Sequence, residues 1–191
     1  YEQYRELFSV ILKNILEKLT SEIELNPKPV YKSRIKSFNS YYSKLLRLKP
    51  KEASESNEIV CLTDMMGIRI VCAFLEDINL AVEQLKNLFE VKEVEVKGAE
   101  KKFSEFGYES VHVLIKIPDS CMPKFEGKFK NLKKVSDEIV CEIQIRTILQ
   151  DAWAEVEHEL IYKTEFNPFD IPLRRKLASI NASLTLADIT F

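Results

Sequence analysis

The sequence predicts an α+β domain, a mixed sheet packed by helices. Two patterns predict it. Apolar residues recur at helical spacing near both ends of the chain and again in its middle, and β-branched or alternating stretches of strand length lie between them. The length, 191 residues, is that of one domain. Hydrophobic residues make up 46% and charged residues 30%, an ordinary globular composition able to build its own core.

The elements follow in order. Over residues 5–23, Leu7, Ile11, Ile15 and Leu19 form one stripe with Phe8, Leu12 and Leu16 beside it, which predicts a helix with one buried face. Asn26, Pro27 and Pro29 stop it. Tyr31–Ser37 is short and polar, carrying Lys32, Arg34 and Lys36. Ser37 is placed to cap a helix through about Leu48, ahead of a loop over Lys49–Glu58. Ile68–Phe74 is a buried strand by its β-branched content, and Asp77 is expected to cap a helix through Phe89 with Ile78, Val82, Leu85 and Leu88 inward. Val91–Lys97 alternates valine and charge, the mark of a half-buried strand. After the charged loop Gly98–Gly107 come a strand over Glu109–Ile117, a Lys-rich connection over Pro118–Ser136 and a strand over Glu138–Arg146. Thr147 and Gln150 make a capping box for a helix through about Tyr162. A last helix starts at Pro172, with Leu173, Leu177, Ile180 and Leu184 as its stripe. The order is helix, helix, strand, helix, three strands, helix, helix.

Composition excludes several functions. With 28 Lys and Arg against 30 Asp and Glu, a net charge of −2, the chain is neither a polybasic nucleic-acid wrapper nor an acidic tail. It has 4 glycines and neither GxGxxG nor GxxxxGK[ST], so a glycine-rich phosphate loop is excluded. Cys61, Cys72, Cys121 and Cys141 form no CxxC pair and read as small hydrophobes in a reducing, cytoplasmic compartment. No apolar run approaches the roughly 20 residues of a membrane span, and no signal peptide is visible. The chain starts at Tyr1 and stops in mid-pattern at Phe191, so both ends read as trimmed.

Four clusters carry chemistry. Alternation along Glu138–Arg146 puts Glu142, Gln144 and Arg146 on one face and Cys141, Ile143 and Ile145 on the other. Tyr108, Ser110, His112 and Lys116 share a face of the preceding strand. Asp64 ends a turn before a strand that begins with Arg69, and Gly67 is expected to allow that turn. Arg34 and Lys36 share a face if extended, while Ser37, Ser40 and Lys44 fall on one helix face near its start, a natural phosphate cradle. Together they supply two carboxylates far apart in sequence, Asp64 and Glu142, each beside a strand and among cations. Mg²⁺ takes one or two carboxylates and keeps phosphate oxygens as its other ligands. Phosphoryl transfer needs positioning, a metal and cations rather than a nucleophilic triad. His112 and His158 are too few for a histidine-rich metal site, and the sequence has no His-Asp dipeptide.

Five strings in order resemble the RelA/SpoT alarmone synthetase family, and the layout resembles its small single-domain members. They are Arg34-Ile35-Lys36-Ser37 (R-x-K-S), Asp64 through Arg69 (D-x-x-G-x-R), Gly107 through His112 (G-Y-x-S-x-H), Glu142 through Thr147 (E-x-Q-I-R-T), and Ala152 through His158 with Tyr162-Lys163. The resemblance implies a nucleotidyltransferase-like synthetase fold with a mixed five-stranded sheet. It also implies one synthetase domain over 1–191, with an N-terminal helix in 1–29, a catalytic core in 30–163 and a truncated C-terminal helix in 164–191. The activity implied is Mg²⁺-dependent transfer of pyrophosphate from ATP to the ribose 3′-hydroxyl of GDP or GTP, giving (p)ppGpp and AMP in the cytoplasm, with homo-oligomers as the form of the small members.

The resemblance also implies roles. Asp64 would hold Mg²⁺, and Glu142 would hold the metal or take the 3′-hydroxyl proton. Arg34 and Arg69 would sandwich adenine, as planar guanidinium groups suit a π-face. Lys36, Ser37, Ser40 and Lys44 would serve the ATP phosphates. Tyr108 would stack on the acceptor guanine, with His112, Gln144, Arg146 and Asp151 as its other contacts. Two positions depart from the family pattern: Glu109 stands where Arg or Gln is usual, and Asp151 where the small members often carry Asn. A second reading keeps the chemistry and changes the acceptor to the 3′ end of tRNA, because residues 97–134 hold nine lysines against five acidic residues. A third is a silent nucleotide-binding module, against which both Asp64 and Glu142 argue.

Overall fold

The computed structural model describes residues 1–49, 59–98, 109–135, 138–162 and 171–191. Helix α1 (Glu2–Glu22) is followed by β1 (Val30–Ile35), α2 (Phe38–Leu48), β2 (Met66–Cys72), α3 (Leu75–Leu88), β3 (Val91–Lys97) and β4 (Ser110–Lys116). Two 3₁₀ segments, Asp119–Cys121 and Gly127–Val135, lead to β5 (Val140–Thr147), α4 (Ile148–Tyr162) and α5 (Ile171–Thr190). The strands form one sheet in the order β1-β2-β5-β4-β3. β2 and β5 are parallel and the other pairs antiparallel, so the sheet is mixed and five-stranded as expected.

The two faces of the sheet are chemically opposite. Ile68, Ile70 and Cys72, Val113 and Ile115, and Cys141, Ile143 and Ile145 are sealed from solvent on one of them. The apolar stripe of α1 (Leu7, Phe8, Ile11, Ile15, Leu19) and Ile78, Ala81 and Leu85 of α3 belong to the same core. The other face is polar, and its strand registers align side chains into two rows. One row runs Lys32, Arg69, Gln144, His112, Glu95; the next runs Arg34, Gly67, Glu142, Leu114, Glu93. Alternation along each strand makes this division unavoidable once the apolar set is buried, since a slip of one residue would exchange the faces.

Several boundaries differ from the sequence reading. The polar segment before Ser37 is β1, a strand on the sheet edge, which that element order lacked; its polar side chains remain exposed there, so no apolar alternation marks it. β2 ends at Cys72, because α3 begins at Leu75. Asp77 is therefore not the cap of α3: Phe74 is the cap residue, and its N–H donates to Asp77 Oδ2 at 3.2 Å from the third helical position. Glu109 precedes β4 rather than opening it. β3 is not half-buried, for Val94 and Val96 are 40% and 55% exposed on an edge strand paired on one side only. Within the last helix Leu177 is buried but Ile180 is exposed.

Two predicted caps hold. Ser37 Oγ accepts the Ser40 N–H at 3.3 Å, and Thr147 and Gln150 exchange reciprocal 3.0 Å bonds. Caps of this kind stabilise a helix start by about 1 kcal/mol each. The four cysteines are free thiols, three of them buried. No helix among the described residues is long and apolar enough to cross a membrane.

Candidate active site

The polar face of the sheet carries a crevice of about 210 Å³. Asp64, Arg34, Arg69, Glu142 and Gln144 all line it, so segments separated by more than a hundred residues in the chain meet in one place. Gly67 forms its floor between Arg34 and Glu142 in the strand register. This glycine is not needed for a turn: it sits inside β2 without the left-handed backbone found at Gly98 and Gly127. A β-carbon there would meet the Glu142 carbonyl oxygen at 3.9 Å and Arg34 Cγ at 4.0 Å, ordinary contacts. What its missing side chain leaves is open space between the two.

Asp64 lies at the mouth of β2, held by two ammonium groups. Lys36 Nζ, just past β1, and Lys44 Nζ, from α2, each stand 2.7 Å from Asp64 Oδ2. The other oxygen, Oδ1, is buried and has no hydrogen-bond partner among the described residues. Burial alone would raise the Asp64 carboxyl; the two lysines outweigh it and hold it below its ordinary 3.8.

Glu142 is the end of a relay along the polar face. Its Oε1 is 3.0 Å from His112 Nδ1, and its Oε2 accepts from Gln144 Nε2 at 2.8 Å. Gln144 Oε1 accepts in turn from Arg146 Nη2 at 2.9 Å, which fixes which way the amide points. Arg146 is buried, and its Nε donates to Ser110 Oγ at 3.1 Å. Burial pushes the Glu142 carboxyl up, but the bonds from His112 and Gln144 hold it below its ordinary 4.5. Both carboxylates are therefore anionic at neutral pH. His112 Nε2 is buried without a hydrogen-bond partner among the described residues. On the far side of Glu142 a smaller recess of about 70 Å³ is lined by His112, Glu93, Glu95 and Thr63, and Glu142 lines that recess as well.

This linkage has a sign. A carboxylate with a depressed folded pKa contributes stability that is complete above its unfolded value and is lost as pH falls through the folded one. The stability advantage of the wild-type chain over Glu142→Gln is expected to be full at pH 7 and to shrink below about pH 4.5. Urea midpoints of both proteins measured from neutral to acid pH check this, and a gap independent of pH would refute it.

Arg69 is fixed rather than free. Its Nη1 lies 2.7 Å from Asp151 Oδ1 and 2.6 Å from Glu155 Oε1, both on α4. Asp151 is buried and also takes Lys32 Nζ at 2.7 Å and Arg146 Nη1 at 3.6 Å. Arg34 remains exposed. Ser37 and Ser40 stay at the start of α2, Ser37 Oγ donating to Ser40 Oγ at 2.9 Å.

Of the residues chosen from sequence, the fold brings Arg34, Arg69, Asp64, Glu142 and Gln144 into the crevice, with Lys36 and Lys44 on Asp64 and His112 on Glu142. Arg146 and Asp151 lie behind them as supports. Tyr108 and the loop before it fall outside the described residues. The sequence reading gave no site role to Lys32 and Glu155, which line the crevice, or to Ser110, which it placed on the face of His112 and which holds Arg146. Lys32 was legible, since it shares alternation with Arg34; Glu155 was not, because only the packing of α4 brings it near Arg69.

A family model described as a region found in RelA and SpoT proteins matches residues 33–167. The chain belongs to the RelA/SpoT family. Of the residues that line the crevice, all but Lys32 lie within that match. Two curated relatives, both from Bacillus subtilis strain 168, are named as GTP pyrophosphokinases. This chain is 36% identical to YwaC over 72% of its own length, spanning 60% of YwaC, and 31% identical to YjbM over 96% of its length, spanning 80% of YjbM. Among solved structures, the small alarmone synthetase 1 of Bacillus subtilis, bound to its product pppGpp, is 26% identical with a TM-score of 0.66; the match covers 98% of this chain and 90% of that one.

Proposed function

We propose that this RelA/SpoT-family chain is a pyrophosphokinase that transfers the β,γ-pyrophosphate of ATP to the ribose 3′-hydroxyl of GDP or GTP, giving (p)ppGpp and AMP. The observation that carries the reading is the position of Glu142: one carboxylate lines both the large crevice and the smaller recess beside it, where it can face donor and acceptor at once.

The residues divide the work by their places. Arg34 and Arg69 offer guanidinium planes at the crevice wall, Arg69 held in orientation by Asp151 and Glu155. Planar cations of this kind stack on a nucleobase. Lys36 and Lys44 are poised to move from Asp64 to phosphate oxygens. Glu142, anionic and oriented by His112 and Gln144, accepts the proton of the attacking hydroxyl. Arg146 acts through Gln144 rather than on substrate, since its guanidinium is buried among Ser110, Gln144 and Asp151.

The site also fits Mg²⁺. Asp64 Oδ1 is a buried carboxylate oxygen without a partner among the described residues, and a second anionic carboxylate, Glu142, lines the same crevice. Asp64 and Glu142 would hold the ion, and when bound it would neutralise charge on the transferring phosphates.

Tyr108→Ala is expected to raise the acceptor KM well beyond the ATP KM, because loss of base stacking costs about 1–3 kcal/mol. Steady-state kinetics with each substrate varied reads the difference, and equal changes in both would argue against stacking. The function itself is tested with ATP labelled in its γ-phosphate and Mg²⁺, offered GDP, GTP, GMP or deacylated tRNA. Label in a guanosine tetra- or pentaphosphate is the expected result. Label on tRNA alone would reassign the acceptor, and label remaining in ATP with every acceptor would overturn the reading.

A further inference from the structure

The crevice on the polar face has two chemically different ends. Asp64, with Lys36 and Lys44 on it, lies where β2 begins. Arg69 stands two positions beyond Gly67 along β2 and meets α4. The first end gathers ammonium groups suited to phosphates, and the second presents a guanidinium suited to a base. Stacking between Arg34 and Arg69 does not tell one purine from another, because every base has a π-face. Discrimination needs a group that meets the edge of the base.

Glu155 occupies that place. It lines the crevice from α4, one helical turn beyond Asp151, and both carboxylates meet Arg69 Nη1, at 2.6 and 2.7 Å. The two are not equivalent. The Asp151 side chain is 8% exposed, and both its oxygens are taken, Oδ1 by Arg69 and Oδ2 by Lys32 at 2.7 Å. The Glu155 side chain is 56% exposed; Oε1 joins Arg69, and Oε2 makes no bond among the described residues. The bond from Arg69 holds the Glu155 carboxyl below its ordinary 4.5, so it is anionic at neutral pH. An ionised carboxylate accepts hydrogen bonds and donates none. Adenine carries an amino donor at its six position, where guanine and hypoxanthine carry an oxo acceptor. Lys32, whose ammonium would suit an oxo group, is turned to Asp151. We propose that Glu155 is a specificity-determining residue of the donor site: its Oε2 accepts from the 6-amino group of adenine and turns away purines with a 6-oxo group. The assignment rests on the pyrophosphokinase reading for the place of the donor base.

ATP and ITP are the probes, because they differ only at the six position and the adjoining ring nitrogen. Calorimetric titration of the full chain with each, in Mg²⁺ and without an acceptor, reads donor binding apart from transfer. The wild-type chain is expected to favour ATP at least about tenfold, the scale of one hydrogen bond to a charged group. A glutamine amide turns to offer either its oxygen or its NH₂, so Glu155→Gln should accept both bases. Its ITP affinity should rise, and the preference should shrink to within about threefold. A gain in ITP binding is not produced by misfolding or by a loosened Arg69, which would weaken both nucleotides together. Glu155→Ala should lose the preference through weaker ATP binding alone. Equal affinity of the wild-type chain for ATP and ITP, or an unchanged ratio in Glu155→Gln, would overturn the proposal while leaving the donor site in place. Parallel weakening of both nucleotides in Glu155→Gln would reduce Glu155 to a clamp on Arg69 and overturn it as well. Absence of ATP binding in the wild-type chain would overturn the donor reading itself, and this assignment with it.

Discussion

Glu142→Gln is expected to leave nucleotide binding nearly intact and to lower turnover at least about 100-fold, the usual scale for a general base or an electrostatic catalyst. The substitution keeps the size of the side chain and the floor of the crevice. It removes the negative charge that faces both crevice and recess, and it places an amide N–H where Gln144 Nε2 now donates at 2.8 Å. Binding should survive because the guanidinium and ammonium groups proposed to hold ATP, on Arg34, Arg69, Lys36 and Lys44, do not contact Glu142 among the described contacts. Single-turnover rates with equilibrium binding of ATP and GDP separate the two effects. A variant within a few-fold of wild-type turnover would remove Glu142 from the reaction.

Asp64→Asn is expected to have an effect of similar size by another route. In the wild-type chain one carboxylate oxygen joins Lys36 and Lys44, each at 2.7 Å, while the other is buried and has no partner among the described residues. Asparagine cancels the anion and leaves two ammonium groups facing each other, so the proposed metal ligand is lost and the two lysines lose their shared counter-charge. Turnover should fall at least about 100-fold at ordinary Mg²⁺, and the Mg²⁺ concentration for half-maximal activity should rise. Titrating activity with Mg²⁺ in both proteins reads this directly. An unchanged Mg²⁺ midpoint with near-normal turnover would mean that Asp64 serves only to hold the lysines.

Much of the fold was legible because its signals are local. The stripe of α1, the caps Ser37 and Thr147–Gln150, and the alternation of β5 each depend on residues a few positions apart. The errors share one cause as well. β1 lacks apolar alternation because it lies on an edge and keeps its polar side chains in solvent. Val94 and Val96 alternate correctly but stay exposed, because burial depends on what covers a strand. Gly67 was assigned a turn from its residue type, yet its place is inside a strand beside Arg34 and Glu142.

The candidate site divides in the same way. Alternation by itself put Glu142, Gln144 and Arg146 on one face, and the resemblance of five short strings to the RelA/SpoT family implied phosphoryl transfer with Asp64 and Glu142 as its carboxylates. The first needed only spacing along the chain, and the second the likeness of local strings. Which cation meets which anion depended on the register of non-consecutive strands and on the packing of α2 and α4. The two lysines on Asp64, His112 on Glu142, and the clamp of Asp151 and Glu155 on Arg69 are contacts between distant segments, whereas the relay from Arg146 through Gln144 to Glu142 runs along β5 itself. Periodicity states which way a side chain faces, but only the folded sheet brings its partner within about 3 Å, the distance at which charge and hydrogen bonding act.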